Sequence, residues 1–322
     1  MISELYAMVV RRRRERYSRY PHLRRRLRRP VISVGNLAAG GRGKTPLVAS
    51  IVRDLLALGE RPAILSRGYR RTRPEEGVVV VRDPSGIRSD LPRSGDEPLM
   101  LARALDGASV CVSSDRYLAG CLAEHALGAT VHVLDDGFQH LQLDRDVDIV
   151  LVGRDDIAHP ATFPRGRLRE PLDTLIAADA VLAADDDVDM GVVGADLPFF
   201  RTRRVIRIPA IDARPAFAVA GIASPHRFFD DLRLAGCVLA GTRAFADHYS
   251  YSRRDVEGMI DAARRAGASV IVTTEKDYVR MLPWRPFSMP VECATLTMEP
   301  DPPIEFRQWL AGSVRAARDI VD

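Results

Sequence analysis

At 322 residues, 46% apolar and 28% charged, the chain is long enough for roughly two domains, each with its own core; neither the low hydrophobicity of disorder nor a collagen-like or cysteine-rich bias is present. The formal charge of +4 is unevenly spread, because residues 1–30 hold eleven arginines against Glu4 and Glu15, a local +9 that leaves the remainder at −5. No run approaches the roughly 18 apolar residues of a membrane-spanning helix, the stretch Leu5–Val10 is too short for a secretory leader, and Cys111, Cys121, Cys237 and Cys293 show no C-x-x-C spacing, so a cytoplasmic protein with reduced thiols is expected.

The basic block over residues 1–30 reads as an arm for an anionic surface, either phospholipid headgroups or nucleic acid. From Val31 onward short apolar runs alternate with helical patterns, the rhythm of a parallel sheet with crossover helices. Strands are expected at Val31–Val34, Ala63–Ser66, Val78–Val81, Ser109–Val112, Thr130–Leu134 and Asp148–Val152. Leu47, Val48, Ile51, Val52, Leu55 and Leu56 recur at the spacing of a buried helix face, with Gly59 as its C′ residue. Further helices are expected at Pro98–Leu105 and Arg116–Leu127. After Asp185 an acidic, turn-like stretch precedes Phe199–Ile208, which alternates like one strand of an antiparallel pair. The domain reading is therefore 1–30 arm, 31–195 nucleotide-binding domain, 196–212 linker and 213–322 a second α/β domain. That last domain is expected to hold strands near Phe217–Ala220, Cys237–Ala240, Val270–Thr273 and Cys293–Leu296, helices near His226–Leu234 and Arg254–Ala266, and a closing helix over Ile304–Ala317.

Val31-Ile-Ser-Val-Gly-Asn-Leu-Ala-Ala-Gly-Gly-Arg-Gly-Lys-Thr-Pro46 is a strand, a glycine-rich turn and a helix start. That is the context of a phosphate loop, which wraps backbone N–H groups around the phosphates of ATP. The binding stretch is Ala38, Ala39, Gly40, Gly41, Arg42, Gly43, Lys44 and Thr45, with Lys44 reaching the terminal phosphates and the Thr45 hydroxyl available to Mg²⁺. Ala38 stands where the strict pattern has glycine. The strand ending Leu134-Asp135-Asp136 supplies a second half, with Asp135 or Asp136 placed to hold Mg²⁺ directly or through water. Gly95-Asp96-Glu97-Pro98 puts two carboxylates at a helix start, where they either complement the helix dipole or serve a phosphotransferase as the group that handles the proton of the attacking hydroxyl.

Beyond the phosphate loop, the chain carries SRGY (Ser66–Tyr69), GDEP (Gly95–Pro98), SSDR with Arg116, LDDGFQH (Leu134–His140), GRLREPL (Gly166–Leu172), AGIASP (Ala220–Pro225), ADHYSYSRRD (Ala246–Asp255) and TTEKDYVR (Thr273–Arg280). In these motifs, in this order and over nearly its whole length, it resembles the tetraacyldisaccharide 4′-kinases of lipid A biosynthesis. The resemblance implies ATP- and Mg²⁺-dependent phosphorylation of the 4′-hydroxyl of an acylated glucosamine disaccharide 1-phosphate, giving lipid IVA. It also implies a P-loop domain plus a smaller α/β domain joined by a two-stranded linker. By the same resemblance Lys44 is catalytic, Asp96 is the general base with His248 as its partner, and Thr45, Asp135, Asp136 and Glu97 serve the metal. Arg116, His140, Arg169 and Glu170 are then expected near substrate. The implied location is peripheral, at the cytoplasmic face of the inner membrane. The arm departs from the family in having few apolar residues ahead of its arginines, so charge-driven docking is expected over insertion. A P-loop switch would leave GDEP and GRLREPL without a role. A nucleic-acid partner is not expected, since no aromatic RNA-binding motif or helix-turn-helix accompanies the arginines.

Overall fold

Val31–Asn36 (β1) is buried along its whole length, as a parallel strand covered on both faces must be. It is the centre of the larger of two units in a computed structural model that describes residues 2–40, 43–185, 188, 191, 197–211 and 214–319. One unit comprises Met1–Arg203 with Met298–Asp322, the other Arg204–Thr297. In the first, β1 is flanked in parallel by Val131–Asp135 (β6) and Val147–Val152 (β7). The parallel run extends to Pro62–Ser66 (β2) and Ser109–Val112 (β5) on one side, and to Ala180–Ala183 (β8) on the other. Val79–Asp83 (β3) and the short Gly86–Ile87 (β4) add an antiparallel edge.

The helix after β1, Lys44–Ala57 (α2), buries Leu47, Val48, Ile51, Val52 and Leu55, and Gly59 beyond its end has a φ of +83°. That is the left-handed C′ geometry for which glycine has no steric cost. Asp96–Ala104 (α4) begins two residues earlier than expected, and Arg116–Ala126 (α5) is capped by the Asp115 side chain.

Within the basic block of residues 1–30, Ile2–Arg19 forms a helix (α1). Phe199–Arg207 (β9) pairs in parallel with β8 through its first three residues and lies beside Val291–Asp301 (β13) on its other edge. There Arg203 faces Glu299 and Thr297 donates to Val205 O, the opposed register of the antiparallel pair expected for this strand. Two expectations are corrected. The closing helix Pro303–Asp319 (α10) belongs to the first unit and not to the second. Its Phe306 and Trp309 rings lie 5.1 and 5.7 Å from those of Phe200 and Phe306, and its Arg307 and Arg318 bind Asp54 and Glu60. The strand expected at Cys237–Ala240 is Leu239–Ala244 (β11). Most of the acidic stretch after Asp185 lies outside the described residues.

The second unit is a small parallel sheet in the order β11, Ala216–Ala220 (β10), Val270–Thr274 (β12) and Val291–Asp301 (β13). Pro225–Leu234 (α7) buries Phe228, Phe229 and Leu232, and Arg253–Arg265 (α8) buries Val256, Met259, Ile260 and Ala263. A helix absent from the sequence reading, Glu275–Met281 (α9), follows β12 directly. The chain passes between the units within β9 and β13.

Candidate active site

In an open parallel sheet, ligands bind beyond the carboxyl ends of the strands, where successive connections leave in opposite directions. After β1 the chain crosses toward β2, and after β6 it crosses back to β7 on the far side of β1. The phosphate loop and the Asp135-Asp136 pair stand at those two strand ends. Gly40 and Gly43 take φ of +111° and +89°, so the strained turns fall on glycine. Ala38 is instead bridged to Leu168 as a short antiparallel strand, with Ala39 N–H donating to Arg167 O and Arg169 N–H to Leu37 O. Alanine at this position therefore carries no penalty. Gly41 and Arg42 lie outside the described residues.

Lys44 leads α2, its Nζ 3.0 Å from Asn36 Oδ1, 3.3 Å from Gly40 O and 3.7 Å from Asp136 Oδ1. Burial holds this ammonium below its usual range, opposed chiefly by the Asp136 carboxylate and more weakly by Asp135 and Glu97. Thr45, Asp96 and Asp135 are buried. Asp136 has a φ of +56°, and both of its oxygens accept from Arg169, at 2.8 and 2.7 Å. Desolvation pushes its carboxyl up, but those hydrogen bonds and the charge of Lys44 outweigh it and hold it below the usual range. Arg169 Nη2 also donates to Asn36 Oδ1 at 2.5 Å, so Asn36 ties the lysine and the arginine to one strand end. Asn36 Nδ2 itself is buried with no partner. Gly35 is required by close packing, because a Cβ there would stand 2.5 Å from Phe138 Cβ.

Glu170 is 2% exposed and accepts from Arg14 of α1 at 2.7 and 3.1 Å. Burial pushes its carboxyl up, and Arg14 opposes the shift. Arg14 further stacks 4.3 Å above the Phe138 ring and donates to Phe138 O, while Tyr6 donates to Arg169 O and Arg11 pairs with Asp173. Much of the arginine charge expected to face a membrane is thus consumed within the unit, since Arg24, Arg25 and Arg26 pair with Asp144, Asp115 and Asp146 as well. Arg116 at the start of α5 is lowered to about 10 by burial and by Arg67. His140 is lowered to about 4 by burial and by Arg116 and Arg145. It lines a cavity of about 360 Å³ with Leu23, Arg25, Ser114, Asp115 and Gln142.

Asp96 opens α4 behind Gly95, which is the N-cap residue, and its Oδ1 accepts from the Glu97 N–H at 2.9 Å. His248 belongs to the second unit, has a φ of +59° and takes a hydrogen bond on Nδ1 from Arg280 at 3.2 Å. Within the first unit the fold therefore gathers Lys44, Asp136 and Arg169 in direct contact, with Asp135 and Glu97 within electrostatic reach of Lys44. Sequence reasoning missed Asn36, Arg14 and Tyr6; the only signal for Asn36 was a polar residue closing an apolar strand.

Mg²⁺ takes oxygen ligands and commonly uses only one or two protein groups beside phosphate and water. The Thr45 hydroxyl and the carboxylates around Lys44 are that kind of donor set. Among the described residues, no three His, Cys, Asp or Glu side chains form a cage of their own.

A strand, a glycine turn and a lysine-led helix facing strand-end aspartates define a P-loop phosphotransferase. The family model for tetraacyldisaccharide-1-P 4′-kinase matches residues 1–315. Tetraacyldisaccharide 4′-kinases from Geobacter metallireducens and Geobacter sulfurreducens are each 39% identical, over 88% of this chain and 88% of that relative in the first case and 94% and 90% in the second. The crystal structure of LpxK from Aquifex aeolicus in complex with ATP superposes with a TM-score of 0.82 at 29% identity, covering 97% of both chains. The chain belongs to the tetraacyldisaccharide 4′-kinase family, ATP-dependent enzymes of lipid A biosynthesis.

Proposed function

We propose that Asp96 takes the proton of the 4′-hydroxyl of the acylated disaccharide 1-phosphate as that oxygen attacks the γ-phosphorus of ATP. The new O–P bond forms as the bond to the β-phosphate oxygen breaks, so the products are the 4′-phosphate (lipid IVA) and ADP, and the proton rests on Asp96. A sugar hydroxyl is a poor nucleophile at neutral pH, and a carboxylate hydrogen-bonded to it removes that obstacle. The reading is carried by Lys44, whose ammonium is aimed by Asn36 and Gly40 at the mouth of the phosphate loop, where charge develops on the transferring group.

Thr45, Asp135, Asp136 and Glu97 are the residues that would hold Mg²⁺, which when bound neutralises phosphate charge. Arg169 and Glu170 are positioning groups in this reading, because Asp136, Asn36 and Arg14 occupy their charged ends. Arg116 remains a cation at neutral pH, and neutral His140 faces a cavity of sugar size; both suit contacts with the phosphorylated disaccharide. The membrane reading shifts from charge toward shallow insertion. Ile2, Leu5 and Val9 share the outer face of α1 at 71%, 61% and 58% exposure, and Phe163 and Ile176 are exposed as well. Such a face, flanked by arginine, suits peripheral docking on the cytoplasmic leaflet of the inner membrane.

Turnover of labelled ATP with the acylated disaccharide phosphate tests the assignment. Lys44→Ala should abolish transfer at an unchanged melting temperature, and Asp96→Ala should lower kcat by roughly 10²–10⁴-fold. Near-normal turnover in Lys44→Ala removes the P-loop reading, and a loss within about tenfold in Asp96→Ala removes the base.

A further inference from the structure

The second unit holds a buried ionic cluster to which the mechanism above gives no task. Asp277 of α9 is fully buried, and its two oxygens accept from the Gly221 N–H at 2.9 Å, the Tyr251 hydroxyl at 3.0 Å, the Thr274 hydroxyl at 2.7 Å and Arg280 Nη1 at 3.0 Å. Arg280, one turn along α9, sends Nη1 to Gly221 O as well, at 2.8 Å, and Nη2 to His248 Nδ1 at 3.2 Å. Burial and the neighbouring Asp277 push the Tyr251 hydroxyl far above its usual range, so it remains a donor. The same Gly221 carbonyl accepts the His248 backbone N–H. It thereby helps to hold His248 at its φ of +59°, a left-handed conformation that a residue with a side chain keeps only where its surroundings impose it. Gly221 has no room for a side chain, since a Cβ would stand 2.9 Å from the Tyr251 hydroxyl and 3.0 Å from Asp277 Oδ1.

Guanidinium groups donate hydrogen bonds and do not accept them. The Nδ1 atom of His248 must therefore be the acceptor, which leaves the ring hydrogen of the neutral imidazole on Nε2. We infer that Arg280, held by Asp277, is a positioning residue that fixes His248 as its Nε2–H tautomer, so that His248 serves the reaction as a hydrogen-bond donor and not as a second base. The ring then presents an N–H donor at Nε2. The inference rests on the reading, implied by the family resemblance, that His248 takes part in the reaction.

Two measurements separate the two ideas. Nitrogen-15 NMR of the full chain labelled at histidine, with His248 assigned by its loss in His248→Ala, reports which ring nitrogen carries hydrogen at neutral pH and needs no change to the cluster. Hydrogen on Nε2 alone is expected, and hydrogen on Nδ1 overturns the inference. The second measurement is kinetic. Arg280→Lys keeps a cation beside buried Asp277, so the fold survives, but it has one nitrogen in place of the two that serve Asp277 and His248. It should mix the tautomers and lower kcat about tenfold with little change in KM, and the same substitution in His248→Ala should cost nothing further, as expected of residues acting as one unit. An equal loss in both backgrounds overturns the inference. Wild-type turnover in His248→Ala would instead defeat the reading that His248 takes part in the reaction.

Discussion

The pair between Arg14 and Glu170 offers a measurable link between the N-terminal helix and the phosphate loop. In Arg14→Met the stem is retained and the charge removed, so Glu170, 2% exposed, loses the guanidinium that holds it at 2.7 Å. Two unit charges about 4 Å apart attract by about 4 kcal/mol at an effective dielectric of 20, and breaking a buried pair from one side typically costs 3–5 kcal/mol. Arg14 is partly exposed, so the low end of that range, about 3 kcal/mol at pH 8, is the working figure. For a unit of this size that corresponds to a melting temperature roughly 6–12 °C lower. The pH dependence has a definite sign. Burial already raises the folded-state pKa of Glu170, and losing Arg14 raises it further. The folded state then holds its proton longer than the unfolded state, and stability falls as pH rises from the ordinary glutamate value through the folded one. The deficit should accordingly be largest at pH 8 and smallest at pH 5, and Glu170→Gln added to Arg14→Met should recover most of it. Thermal melts of the three variants and wild type at both pH values decide the matter. A melting temperature within about 2 °C of wild type at pH 8, or a deficit equal at pH 5 and pH 8, refutes the reasoning.

Two further outcomes are expected. His140, held near a pKa of about 4, should remain neutral in NMR titration from pH 8 to pH 5; because the unfolded chain takes up that proton first, its contribution to stability declines as pH falls from the ordinary histidine value toward about 4, and titration near 6.5 would contradict the assigned environment. Leu5→Ser with Val9→Ser should weaken binding to anionic vesicles with less response to salt than Arg12→Gln with Arg16→Gln, and vesicle binding unchanged by the serine pair would return docking to charge alone.

Local signals carried the nucleotide half of the molecule. Uninterrupted apolar strands, the 3.6-residue recurrence in α2, Gly59 at its end and the loop running into Lys44 are each written in consecutive residues, and short-range sterics and backbone hydrogen bonding dictate their form. The strand-end position of Asp135 and Asp136 followed from the same pattern. What required the tertiary structure were contacts between residues far apart in the chain: Arg14 with Glu170 across 156 positions, Arg169 with Asn36 across 133, and Arg280 with His248 across 32. A single arginine in a run of arginines gives no sign of which one will meet a buried carboxylate. That choice depends on where α1 lies against the Phe138–Asp173 region. The destination of α10 was hidden for the same reason. Its amphipathic pattern specifies a buried face, and only packing decides which core that face covers: Phe306 and Trp309 found Phe200. Sequence determines which groups need partners, and the fold, by bringing distant strand ends and helices together, determines which partners they obtain.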